Sequence, residues 1–132
     1  SLPKETVMPR GTERILLVDD EEALLAAGKR ALEELGYSVV AKRNGPEALA
    51  VFQAQPFHFD LVITDCTMPA MAGHDMVGEV MRIRPDIPVI LNTGGAIADV
   101  IDKAKEIGIR EIVTKPIDLC EFVRIVRRAL DT

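Results

Sequence analysis

Aromatic residues are scarce in this chain: one tyrosine, four phenylalanines and no tryptophan among 132 residues. A core built from it must be aliphatic. Cysteine is nearly as rare. Cys66 and Cys120 have no metal-ligand spacing and read as two reduced thiols packed as small apolar groups, which points to a cytoplasmic protein. Histidine occurs twice, as His58 and His74, which is a poor basis for a metal site or for phosphohistidine chemistry. Basic charge is in the minority, with 16 Lys and Arg against 21 Asp and Glu and a net charge of −5. Nucleic-acid phosphates need a basic surface, so direct nucleic-acid binding is not expected. No apolar run approaches the roughly 20 residues that span a bilayer, and the first residues lack a signal-peptide pattern.

What is present is an ordinary aliphatic and charged balance, 48% hydrophobic and 28% charged, in a length that suits one domain with one core. Residues 1–12 hold Pro3, Pro9 and Gly11, show no periodicity and read as a linker or tail; the domain is expected over 13–132. From residue 13 two periodicities alternate. Short apolar runs at 14–18, 38–42, 60–64, 88–91 and 110–114 predict strands. Helical spacing predicts helices over 22–35, from Asn44 to about 55, over 73–84, 98–107 and 118–130. Gly36 and Gly108 stop two of them and Pro85 a third. Asp118 and Glu121 form a capping-box pattern at the start of the last helix. Arg124, Arg127 and Arg128 make a basic stripe there that reads as a solvated face. Five strands alternating with five helices predict an α/β domain with a parallel sheet covered on both faces, because the strands are continuously apolar.

The stretch "ILLVDDEE" (15–22) runs four apolar residues into four acids. Two like charges about 4 Å apart cost roughly 4 kcal/mol at an effective dielectric near 20, so the acids either splay into water or await a cation. The other strand ends decide between these. The third ends in Thr64 and Asp65, the fourth in Asn92 and Thr93, the fifth in Thr114 and Lys115. In an open parallel sheet these carboxyl ends share one edge, where ligands bind. Three aspartates, a hydroxyl and an ammonium on one edge suit Mg²⁺ and a phosphoryl group: oxygen ligands for the metal, Lys115 and Thr93 for phosphate oxygens, and a carboxylate able to attack phosphorus.

With these residues in hand, the sequence resembles the receiver domain of two-component response regulators across residues 13–131. "VDDE" matches the family's acidic pair, "DCTMPAMAG" (65–73) its phosphoacceptor motif, "NTGG" its switch hydroxyl and "TKPI" its lysine-proline signature. The resemblance implies a flavodoxin-like, doubly wound sheet in the strand order 2-1-3-4-5. It implies that Asp65 is the phosphoacceptor and that Mg²⁺ is the cofactor. Asp20 and Asp65 would hold the metal directly, Asp19 mainly through water, and Thr67 through its backbone carbonyl. Thr93 and Lys115 would bind the phosphoryl oxygens, and the Lys115–Pro116 bond would be cis. The phosphoryl group would come from a histidine kinase or histidine phosphotransfer domain, and phosphorylation would shift the Thr93 loop and the fourth helix. Ile112 departs from the family, which often carries Tyr or Phe there.

Three other readings fit less well. A phosphatase of the dehalogenase-like type also uses an aspartyl phosphate, but needs Asp-x-Asp on the first strand, where this chain has Asp19, Asp20 and Glu21. A flavodoxin-type nucleotide or flavin binder needs a Ser/Thr/Gly-rich first loop, and "DDEE" is the opposite. A degenerate receiver that only binds partners would lack some of the five site residues. The expected function is thus phosphoryl acceptance in signalling rather than enzymatic turnover, by a monomer or weak dimer without membrane insertion. With no DNA-binding output after the last helix, the reading is a single-domain regulator or, preferably, the receiver of a hybrid histidine kinase.

Overall fold

The computed structural model describes the backbone of residues 8–94 and 98–132, and the side chains of all of these but 98–101. Five strands are β1 (Arg14–Val18), β2 (Ser38–Lys42), β3 (Leu61–Asp65), β4 (Val89–Thr93) and β5 (Glu111–Thr114). Between and after them run α1 (Glu22–Glu34), α2 (Gly45–Ala54), α3 (Gly73–Ile83), α4 (Ala98–Glu106) and α5 (Leu119–Asp131). All strand pairings are parallel and the order is β2-β1-β3-β4-β5, the doubly wound arrangement expected.

The unbroken apolar strands are explained by two half-cores. Successive strand residues face opposite sides, so Ile15 and Leu17 join Leu25, Leu32, Phe122 and Val126 beneath α1 and α5. Leu16 and Val18 join Phe52, Met76, Val80 and Ala104 on the other face. Gly36, at φ +105°, occupies the left-handed region where a side chain is strained, and lets the chain leave α1 as its N–H bonds to Glu33 O.

Helix starts divide differently from the expected pattern. Asp118 does cap α5, accepting the Cys120 N–H at 2.9 Å. It binds the second helical N–H rather than the third, and among the described residues Glu121 makes no return bond. The reciprocal arrangement occurs at α2 instead: Asn44 Oδ1 accepts the Glu47 N–H at 2.9 Å while Asn44 Nδ2 donates to Glu47 Oε2 at 2.8 Å.

Two strands lie further along the chain than their apolar runs suggested. β3 starts at Leu61, not Asp60, whose carboxylate is occupied by the Arg14 N–H at 2.9 Å. β4 runs on through Asn92 and Thr93, although both are polar. Their carbonyls accept the N–H groups of Cys66 and Lys115, each at 2.7 Å, and so extend the ladder past the last apolar residue.

Arg127 is no solvated stripe residue. Its guanidinium grips the Glu13 carboxylate and Asp131, and Nη1 donates to Arg10 O at 3.1 Å and to Tyr37 Oη at 3.2 Å. Gly11 N–H donates to Leu35 O at 3.1 Å, and Met8 is buried in the α1/α5 half-core. Residues 8–13 are thereby fastened across the domain.

Candidate phosphoryl-acceptor site

The strand order brings the ends of β1, β3, β4 and β5 to one edge. Asp19 follows β1, and Asp65 closes β3; each is buried, with 5% of its surface exposed. In register, Asp65 stands beside Asn92, and Thr93 beside Thr114, which puts Lys115 next to the end of β4. The Lys115–Pro116 peptide is cis.

Lys115 Nζ is the hub. It lies 3.2 Å from Asp65 Oδ2, 3.3 Å from Glu21 Oε1 and 3.6 Å from Asp19 Oδ2. Asp19 Oδ1 also accepts the Glu21 N–H at 2.9 Å, which pins the carboxylate at the mouth of α1. Burial raises the carboxyls of Asp19 and Asp65 above the ordinary range; Lys115 opposes this, while the charge of Asp20 adds to it. Burial works against the Lys115 charge, yet its contacts with Asp65 and Asp19 prevail and hold the ammonium above the usual lysine value. The lysine is stabilised as a cation while its two buried partners resist ionisation. Three carboxylates share this one ammonium, so the group is short of positive charge.

That shortage is the test of fit for a divalent metal. Oxygens of Asp19, Glu21 and Asp65 lie within 4.8 Å of one another. Two bonds of about 2.1 Å, as Mg²⁺ forms with oxygen ligands, span about 4.2 Å, so the carboxylates would draw in slightly to share one ion. The donor set is all oxygen, partly buried and over-acidic, and it fits the ion.

The β3–α3 loop reaches back over this edge. Gly73 N–H donates to Cys66 O at 2.9 Å, and a Cβ at Gly73 would collide with the Asp65 carbonyl, so the close approach requires glycine. Ala70 in the same loop sits at φ +71°, an uncommon conformation for a residue with a side chain.

Of the residues read from the sequence, Asp19, Asp65 and Lys115 are in direct contact or shared contact, and Thr93 is buried at the adjoining strand end. Asp20 is half-buried and stands outside the three-carboxylate group; Thr67 is exposed. Residues 95–97 of the Thr93 loop lie outside the described residues, as do the α4 side chains 98–101. Glu21 is the residue sequence reasoning passed over; its only signal was membership of the acidic run. His58 packs edge-on against Phe59 and His74 lies 3.4 Å from Asp75, neither of them among the site's carboxylates. Cys66 and Cys120 are free thiols, and burial pushes Cys66 up.

Residues 15–127 match the family model of the response regulator receiver domain. The chain belongs to that family. It is 36% identical over 118 residues to the transcriptional regulatory protein GlrR of Escherichia coli (strain K12), covering 89% of this chain and 26% of that protein. It is 37% identical over 86 residues to the sensor kinase CckA of Brucella abortus (strain 2308), covering 65% of this chain and 9% of the kinase. The chain thus spans about a quarter of the length of the first and less of the second. Its structure is similar to the crystal structure of a CheY-like response regulator receiver domain protein from Methanospirillum hungatei JF-1, with a TM-score of 0.87, 28% identity and coverage of 92% and 95% of the two chains. As a receiver domain of two-component response regulators, the chain is a signalling module, and the dehalogenase-like alternative is not favoured. Among the described residues, no helix is long and apolar enough to cross a membrane.

Proposed function

We propose that Asp65 accepts a phosphoryl group from the phosphohistidine of a histidine kinase or histidine phosphotransfer domain. A carboxylate oxygen of Asp65 attacks phosphorus, and the P–N bond breaks with its electron pair left on the imidazole nitrogen. Lys115, 3.2 Å from Asp65 Oδ2, steadies a phosphoryl oxygen, and the Thr93 hydroxyl takes another. Asp19, Asp20, Asp65 and the carbonyl of Thr67 would hold Mg²⁺, which supplies neutralisation of the charge on the transferring group. The observation that carries this reading is the single ammonium placed between the buried carboxylates of Asp65 and Asp19.

The segment ahead of Met8 serves as a linker or tail to the receiver domain, which works in the cytoplasm as a monomer or weak dimer without direct contact to nucleic acid. The chain assists its own phosphorylation and dephosphorylation but turns over no other substrate. Its similarity to a sensor kinase supports a place in a hybrid histidine kinase. Incubation with acetyl phosphate and Mg²⁺, followed by intact-mass measurement, tests the reading: one phosphoryl group is added to the native chain and none to Asp65→Asn. Equal labelling of that variant sinks the assignment.

A further inference from the structure

A cleft of about 190 Å³ opens between α1 and the start of α5, with Asp19 in its lining. Its walls are apolar: Leu17 from β1, Leu25 and Gly28 from α1, and Ile117, Leu119 and Phe122 around the start of α5. Leu17, Leu25 and Phe122 are themselves buried and form its floor, while Leu24 and Ala27 are exposed at its mouth. Gly28 helps create it. A Cβ there would stand 3.2 Å from Leu17 Cδ2, and its absence leaves room between helix and strand.

Two polar residues complete the lining. Asp19 is engaged elsewhere, accepting the Glu21 N–H at 2.9 Å and facing Lys115 at 3.6 Å. Asn92 is not. It is 3% exposed, and among the described residues its Oδ1 has no hydrogen-bond partner. An unpaired buried amide oxygen is destabilising, a penalty that a donor in the cleft would remove. Beyond Asn92 and Asp19 the walls are aliphatic and aromatic, so water there finds two polar partners at most, the low end of what holds a buried water.

We propose that this cleft binds a small neutral molecule, one ring in size, that presents a single hydroxyl or N–H group to Asn92. The volume sets the size: an apolar cavity of about 150 Å³ accepts benzene. The apolar walls and the Asp19 carboxylate exclude an anion. The one unsatisfied amide selects a ligand with one polar group over a plain hydrocarbon.

Phenol and toluene are the probes, titrated into protein carrying ¹³C-labelled Leu and Ile methyls, with no phosphoryl donor present, so that failure here is separate from failure of the Asp65 reading. Phenol is expected to shift Leu17, Leu25, Ile117 and Leu119 saturably, and to bind about tenfold more tightly than toluene, the worth of one hydrogen bond. Ala27, exposed at the rim on α1, offers a variant that leaves the core intact. Ala27→Leu is expected to narrow the mouth and weaken phenol binding while the methyl spectrum stays that of a folded protein. Asn92→Ala is expected to bring phenol and toluene to equal affinity. Shifts that do not saturate or that map away from these methyls, equal binding of the two probes by the native chain, or unchanged phenol affinity in Ala27→Leu would each overturn the proposal.

Discussion

Lys115 Nζ lies 3.2 Å from Asp65 Oδ2, joining the end of β5 to the end of β3 across the intervening strand β4. The contact ties the Asp65 carboxylate to the strand whose neighbour carries Thr93, and Lys115 N–H also donates to Thr93 O at 2.7 Å. One residue therefore touches Asp65 with its side chain and Thr93 with its backbone.

Replacing Lys115 with methionine removes the first link and keeps the second. Phosphoryl acceptance from acetyl phosphate should slow by about 100-fold, the usual cost of losing one preorganised charge-stabilising donor. The residual product should produce smaller amide shifts at Thr93 and Gly94 than native protein shows with beryllofluoride. A native rate with native shifts would contradict the assignment.

Asp65→Asn should stabilise the metal-free protein at neutral pH. Burial, reinforced by Asp19 and Asp20 against the pull of Lys115, raises the Asp65 carboxyl from its ordinary 3.8. A raised folded value means the stabilising proton is fully present below the unfolded value and lost as pH climbs through the folded one. In EDTA the variant should melt a few degrees higher at about pH 7, with the gap closing as pH falls below about 4. A lower melting temperature at neutral pH defeats this account.

Glu13 behaves in the opposite sense. The hydrogen bond from Arg127 holds its carboxyl below 4.5, outweighing burial. A depressed value gives stability above the unfolded value that disappears as pH falls through the folded one. Glu13→Gln should therefore cost about 2 kcal/mol at neutral pH, and the cost should shrink as pH falls below about 4.5, read by urea denaturation. Arg127→Ala should cost at least as much and speed hydrogen exchange at the Gly11 amide, which Leu35 O now holds at 3.1 Å.

Ile112 is half-buried against the half-core that includes Ala104 and Ile109, and it lines a cleft with Pro116 and Phe122. Being β-branched, it is stiff at its first torsion. It should keep one rotamer with and without beryllofluoride and Mg²⁺, with ¹³C methyl shifts as the measurement. A rotamer change would show that it replaces the aromatic switch after all.

The alternation of strands and helices was legible because each element carries its own period. Strand ends were less so: Asn92 and Thr93 look like loop residues until Cys66 and Lys115 are seen to bond to their carbonyls. Asp19, Asp65, Thr93 and Lys115 could be named in advance because chemistry concentrates at strand ends in such sheets. Glu21 could not, since an acid at the mouth of a helix has an ordinary reason to be there. Arg127 was misread for a different cause. Its partner Glu13 is 114 residues away in sequence, and no local pattern reports a contact that distant.

The Arg127 clasp also fixes a direction of travel. Polypeptide that continues ahead of Met8 departs from a point anchored to the last helix and to the far end of the first, not from a swivel at the start of β1. A rotation of α5 would be handed through Arg127 and Glu13 to the entry of β1, as a rudder stock turns a blade.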